Sequence, residues 1–143
     1  MGKIRNSKGF TLVELAVVIV IISVLAAFAV PRFRDAVERS KASEAFNYLS
    51  AIQTAQERFH SRHGTYSGDL VALDIKMNAP KYFSTGNVQA GSSGNLKDSW
   101  TMTLTRKEAS AGYGAYTVTF SQDGYDSANS TIQSLETINP MAS

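Results

Sequence analysis

Residues 10–30, FTLVELAVVIVIISVLAAFAV, contain a single ionisable side chain, Glu14. That run limits what the chain can fold into more than any other feature. A helix of roughly 20 apolar residues is enough to cross the hydrocarbon core of a bilayer. A carboxylate in such a helix costs on the order of 2.5–3.5 kcal/mol at the bilayer centre and less near an end. A segment serving only as an anchor gains nothing from it, so Glu14 is expected to have a use.

The residues in front, MGKIRNSKG, carry Lys3, Arg5 and Lys8 and no acid. A basic lead before an apolar stretch keeps that end in the cytoplasm. An ordinary secretory signal places its small-residue cleavage site after the apolar region. Here the small border, Lys8-Gly9-Phe10, comes before it. A cut after Gly9 leaves the apolar segment on the mature chain and makes Phe10 its amino terminus.

The run KGFTLVELAVVIVIISVLAAFAVPRFRDA resembles the class III signal of type IV pilins and type II secretion pseudopilins. The resemblance covers about residues 1–60 closely and the rest only in general plan. It rests on Gly9 before the cut, Phe10 after it, Glu14 at the fifth mature position and Pro31 at the twenty-second. It implies that a membrane prepilin peptidase removes the leader, residues 1–9, and N-methylates Phe10. It also implies an assembly platform and ATPase as partners, and a homo-oligomeric helical filament as product. The precursor then belongs in the inner membrane, and the product in an extracellular pilus or periplasmic pseudopilus, of a Gram-negative bacterium.

Leader removal creates an ammonium on Phe10, and four residues of helix place Glu14 about 6 Å further along the axis. The positive end of its own helix offers Glu14 roughly 0.3–1 kcal/mol, too little to offset burial. Its own Phe10 amine could reach it, as could that of an adjacent subunit one step lower; pairing between subunits is expected. It would act as a register device, because a mismatched subunit leaves a charge unpaired in hydrocarbon.

The helical pattern continues past the span. Phe33, Val37, Ala42, Ala45, Phe46, Leu49, Ile52, Gln56 and Phe59 recur mostly at three- and four-residue steps, an amphipathic face. Arg34, Asp35, Glu38, Arg39, Lys41 and Glu44 read as the solvated side. Gly64 suits a left-handed helix terminator, so one helix from Phe10 to about Arg62 would be about 80 Å long. Pro31 offers no N–H to the carbonyl of Ala27 and should kink it. By resemblance, the stretch before Pro31 loosens when the subunit leaves the membrane.

Beyond Gly64 the period changes. Asp69 to Ile75 suits one short helical turn, and Asn78 to Tyr82 a loop through Pro80. Trp100, Met102 and Leu104 alternate with threonines, as do Tyr116, Val118 and Phe120, so each group reads as a half-buried strand. Gly112-Tyr113-Gly114 supplies the turn between them. A weaker third strand is expected within Thr131 to Ile138. A small antiparallel sheet with one apolar face needs a lid, and the helical stripe from Phe46 to Phe59 provides it. The expected class is α+β and pilin-like, with a leader at 1–9, a transmembrane and filament-core helix at 10–33 and a soluble head at 34–143.

No residues assemble into a catalytic set, and no cofactor is implied, so the chain reads as a structural protein and not an enzyme. Net charge is +2, but Lys3, Arg5 and Lys8 exceed that total, so the mature chain carries −1. The high pI is thus mostly leader and gives no argument for a nucleic-acid partner. There is no cysteine, so the C-terminal loop that many such pilins close with a disulfide must be held otherwise. His60 and His63 lie one turn apart beside Arg58 and Arg62, which oppose a cation. Asp123, Asp126 and Asn129 offer oxygen ligands in SQDGYDSANS, and some pseudopilins bind calcium in such a loop. Their spacing does not fit an EF-hand, and an Asp-Gly turn is the plainer reading. The expected function is a type IV pilus subunit. A pseudopilin of type II secretion or DNA uptake is its near rival, and an uncleaved, signal-anchored periplasmic binding domain the distant one.

Overall fold

A computed structural model describes residues 9–109 and 112–142; the leader expected at 1–9 lies outside them except for Gly9. The chain divides into two compact units, Met1–Asp35 and Ala36–Ser143. A helix α1 runs Leu12–His63. It ends where the sequence places a terminator: Gly64 takes a φ of 70° and donates its N–H to the carbonyl of His60 at 2.8 Å. Pro31 lies inside α1, which continues through it.

In the first unit the helix from Leu12 to Val30 is apolar but for Glu14 and Ser23. It is long and apolar enough to cross a membrane, and none of its most apolar stretch is buried by the rest of the chain. Phe10, Phe28 and Phe33 are 89%, 71% and 70% exposed.

The second unit is an antiparallel sheet with a helical lid. Strands β1 (Phe83–Thr85), β2 (Gln89–Ala90), β3 (Trp100–Arg106), β4 (Thr117–Ser121) and β5 (Gly124–Tyr125) run in the order β1-β3-β4-β5, with β2 also on β3. β1 pairs with the Leu104–Arg106 end of β3 and β2 with its Trp100–Thr101 end. Alternation sorts β3 cleanly: Trp100, Met102, Leu104 and Arg106 are buried and the threonines between them only half-buried, as a two-residue period requires. Val118 and Phe120 of β4 join the same core. Against it lie Ala42, Ala45, Phe46, Leu49, Ile52 and Ala55 of α1, and the Phe46 and Phe120 rings meet edge to face at 5.9 Å. The long helix on a small antiparallel sheet is the α+β, pilin-like fold expected.

Two local readings are corrected. Thr131 to Ile138 is not a strand; Thr131–Ser134 is a 3₁₀ turn. Ile132, Leu135 and Ile138 face the core at intervals of three, the period of a 3₁₀ helix rather than a strand. Thr131 anchors this segment through reciprocal bonds with Thr117, at 2.7 and 3.1 Å. The expected short turn within 69–75 is the 3₁₀ segment Val71–Leu73.

The second correction concerns Glu38, which is buried and not solvated. Arg106 Nε donates to its Oε1 at 2.6 Å and Arg106 Nη2 to its Oε2 at 3.1 Å. The Tyr116 hydroxyl adds a bond to Oε1 at 2.9 Å, and Lys41 Nζ stands 3.7 Å from Oε2. Burial pushes the carboxyl pKa up, but the bonds from Arg106 and Tyr116 and the charges of Arg106 and Lys41 outweigh it, so the net shift is downward. Burial, followed by the bond to Glu38, pushes Tyr116 upward.

Removing one partner of a buried pair strands the other charge, at a cost of about 3–5 kcal/mol. Glu38→Leu should show a loss of that size in urea denaturation followed by near-ultraviolet circular dichroism. Because the folded pKa of Glu38 is depressed, its contribution is complete above the unfolded value, roughly 4.3, and fades as pH falls through the folded one. Glu38→Gln should therefore flatten the acid limb of the stability curve below about pH 4 while lowering stability at neutral pH. An acid limb identical to wild type would show that other carboxyls control it.

Candidate functional site

Gly9 and Phe10 lie in an exposed segment before α1. A side chain at Gly9 would meet nothing within 4 Å, so nothing in the fold itself demands glycine there. Glu14 has a local partner that the sequence reading passed over. Thr11 donates to Glu14 Oε2 from its backbone N at 2.8 Å and from its hydroxyl at 2.9 Å, while Glu14 N donates back to Thr11 Oγ1 at 3.2 Å. This reciprocal arrangement is a capping box, a threonine before the helix and a glutamate three residues on. The signal was present as Thr11-x-x-Glu14 directly before an apolar run. The carboxylate is thus oriented by its own chain.

Pro31 sits on α1 between the exposed residues Val30 and Arg32. Ser23, further back, turns its hydroxyl onto the carbonyl of Ile19 at 2.6 Å, which keeps that polar group satisfied in an otherwise apolar helix.

The head gathers a second set of residues that are far apart in sequence. Lys41, Lys81, Tyr82, Arg106, Lys107 and Glu108 line a cavity of about 280 Å³. Three cations surround one ring: Lys41 Nζ, Lys81 Nζ and Arg106 Cζ stand 5.1, 5.6 and 5.5 Å from the Tyr82 centroid, within cation–π range. Glu38 offsets the Arg106 charge and also stands 3.7 Å from Lys41 Nζ, which leaves the ammonium groups of Lys81 and Lys107 against the carboxylate of Glu108. The sequence reading missed this group because Lys81 and Lys107 lie in loops joined only through the sheet.

The candidate calcium residues are engaged by neighbouring groups. Asp126 accepts from the backbone and side-chain nitrogens of Asn129 at 3.1 and 2.7 Å, and Asp123 accepts from Gln122 Nε2 at 2.8 Å. Asp123 stands in the tight turn between β4 and β5, where Gly124 has a φ of 103°, a conformation that favours glycine. His60 and His63 contact the carbonyls of Lys97 and Phe59, each at 3.1 Å. Their rings stack on Tyr66 and Phe59. Among the described residues, no group of three or more His, Cys, Asp or Glu is placed to hold a metal ion.

Comparison with known proteins agrees with this geometry. Residues 4–30 match the prokaryotic N-terminal methylation motif, and residues 31–131 match the family described as type IV minor pilin ComP, DNA uptake sequence receptor. Among similar proteins, the fimbrial protein EcpC of Eikenella corrodens is 46% identical over 68 residues, covering 48% of this chain and 44% of that protein. The type IV major pilin PilA of Myxococcus xanthus is 49% identical over 62 residues, covering 43% and 28%. The type IV major pilin PilE of Neisseria gonorrhoeae is 32% identical over 87 residues, covering 59% and 52%. The chain thus aligns with about half or less of the length of these relatives. The methylation motif, the helix-on-sheet fold and the match across 31–131 place it in one family: the chain belongs to the type IV pilins, which are structural subunits and not enzymes.

Proposed function

We propose that the chain is a type IV pilus subunit, inserted in the inner membrane of a Gram-negative bacterium as a prepilin, cut after Gly9 and polymerised through α1 into an extracellular filament. The observation that carries this reading is the helix from Leu12 to Val30, apolar but for Glu14 and Ser23, with none of its most apolar stretch buried by the rest of the chain. Such a surface requires lipid before assembly and neighbouring helices afterwards. Residues 10–33 then serve as span and filament core, and residues 34–143 as the head. The prepilin peptidase, the platform protein and the assembly ATPase are the expected partners.

Glu14 pairs with the Phe10 ammonium of an adjacent subunit, and the Thr11 cap aims its carboxylate. Pro31 marks the stretch that loosens as the subunit leaves the membrane. Neither the near rival, a pseudopilin, nor an uncut anchor needs a different fold; they differ in processing and destination.

Processing is tested by Gly9→Arg, expected to block cleavage while membrane insertion continues; mass analysis of the wild type should find a methylated Phe10 at the terminus. Efficient cutting of the arginine variant would sink the class III reading. Assembly is tested by filament counts. Glu14→Val should leave few or none although protein accumulates in the inner membrane, and Glu14→Asp should be milder. Thr11→Ala removes a cap worth about 0.5–2 kcal/mol but retains the charge, so its filament loss should be smaller than that of Glu14→Val. Equal losses would mean that Glu14 acts as a cap and not as an intersubunit partner.

A second reading, that the subunit also contacts DNA, is favoured by Lys41, Lys81 and Lys107 around Tyr82. It agrees with the description of the family matched over residues 31–131. Three lysines meeting three phosphates give a log affinity against log salt slope of about −2.7 on duplex DNA. Lys81→Ala with Lys107→Ala should reduce that slope by about two in anisotropy titrations of a labelled duplex. An unchanged slope would remove this surface from the reading.

A further inference from the structure

We infer that the buried Glu38–Arg106 pair is a positioning device for the surface pocket of Lys41, Lys81, Tyr82 and Lys107, and that this pocket takes the phosphodiester groups of a nucleic acid; the inference rests on the second reading above. Arg106 does not face the ligand as a free cation. Its Nε and Nη2 are spent on Glu38. Its Nη1 donates to the carbonyl oxygen of Tyr82, at 3.2 Å, and to that of Lys107. One guanidinium therefore ties together α1, the segment entering β1 and the segment leaving β3. The last two carry Lys81 and Lys107. Lys107 N adds a bond to Tyr82 O at 2.9 Å.

The same backbone is held from its other side. Glu44 of α1 accepts from Lys81 N at 2.9 Å and from Tyr82 N at 3.3 Å. The N–H groups of Lys81 and Tyr82 are fixed by one carboxylate, and the carbonyl of Tyr82 by the guanidinium that another carboxylate holds. A buried ion pair contributes no more stability than well-packed apolar residues of similar volume, so stability does not account for this one. Apolar side chains could fill the space, but they could not donate to the carbonyls of Tyr82 and Lys107. Fixed backbones under two flexible lysines lower the ordering cost of binding.

Charge and shape select the occupant. Among the described residues, Lys81 and Lys107 form no ion pair within 4 Å, and Glu108 is the sole carboxylate lining the cavity. The half-buried Tyr82 ring sits among the ammonium groups, and an aromatic ring beside cations is the combination that suits a nucleic-acid strand more than a bare anion.

The test uses the mature full chain in detergent micelles, with fluorescently labelled single-stranded and duplex oligonucleotides and inorganic phosphate as competitor. The triple variant Glu38→Leu, Arg106→Met, Tyr116→Phe replaces the network with apolar groups and leaves net charge unchanged. It should melt near wild type yet bind at least fivefold more weakly. A second variant, Glu44→Asp, keeps the core network and the charge but withdraws the carboxylate from Lys81 N and Tyr82 N; a several-fold loss is expected. Wild-type affinity in both the folded triple variant and Glu44→Asp would overturn the positioning role. Should the triple variant not fold, Glu44→Asp decides alone. Unchanged binding by Lys81→Ala with Lys107→Ala would instead remove the DNA reading beneath it. Displacement by low-millimolar phosphate, with no preference for the polymer, would identify a free-phosphate site and overturn the nucleic-acid assignment.

Discussion

The carboxylate of Glu38 is the contact that constrains how helix and sheet meet in the head. Burying it without partners would cost several kcal/mol, so the sheet must present Arg106 and Tyr116 at one place. Arg106 is the last residue of β3, on the strand face that also carries Trp100, Met102 and Leu104. Tyr116 comes directly before β4, and its carbonyl accepts from Arg106 N at 2.8 Å. Strand register therefore sets the partners of a helical residue. A one-residue slip of β3 would turn Arg106 to the other face and leave Glu38 unpaired. Apolar packing supplies attraction between helix and sheet, whereas this charged contact sets their register.

The same helix meets opposite demands along its length. From Ala42 to Gln56 it places small and aliphatic residues against the sheet. Before Phe33 it buries nothing within the chain. Its one carboxylate there accepts the backbone N–H and the hydroxyl of Thr11. A capped Glu14 can reside near an end of an apolar helix at modest cost and still offer negative charge to a neighbour. The type IV pilin family joins a membrane-competent helix to a surface domain, and this chain meets both demands with a single α1.

Much of this was legible in the residues. A run of apolar residues with one acid specifies a helix long and apolar enough to cross a membrane, and none of its most apolar stretch is buried by the rest of the chain. Period-two alternation at 100–104 and 116–120, set against period 3.6 at 42–56, specifies a sheet with a helical lid. The glycine at position 64 specifies where the helix stops. The Thr11–Glu14 cap was legible too, since both partners lie within one turn. These are local properties, decided by neighbours in sequence.

What only the tertiary structure decided is the fate of side chains whose partners are remote. Glu38 lies among Arg34, Arg39 and Lys41 and by composition belongs to a solvated face; it is buried because Arg106, 68 residues away, arrives at the same point. Lys41, Lys81 and Lys107 are unremarkable singly and become one pocket when β1 and β3 pair. Thr131 to Ile138 carries strand-forming residues, yet Thr117 captures Thr131, and Ile132, Leu135 and Ile138 enter the core at three-residue steps. The reason is physical in each case. Periodicity reports which face of an element is apolar, whereas the pairing of charges and hydrogen bonds depends on which distant segment completes the face.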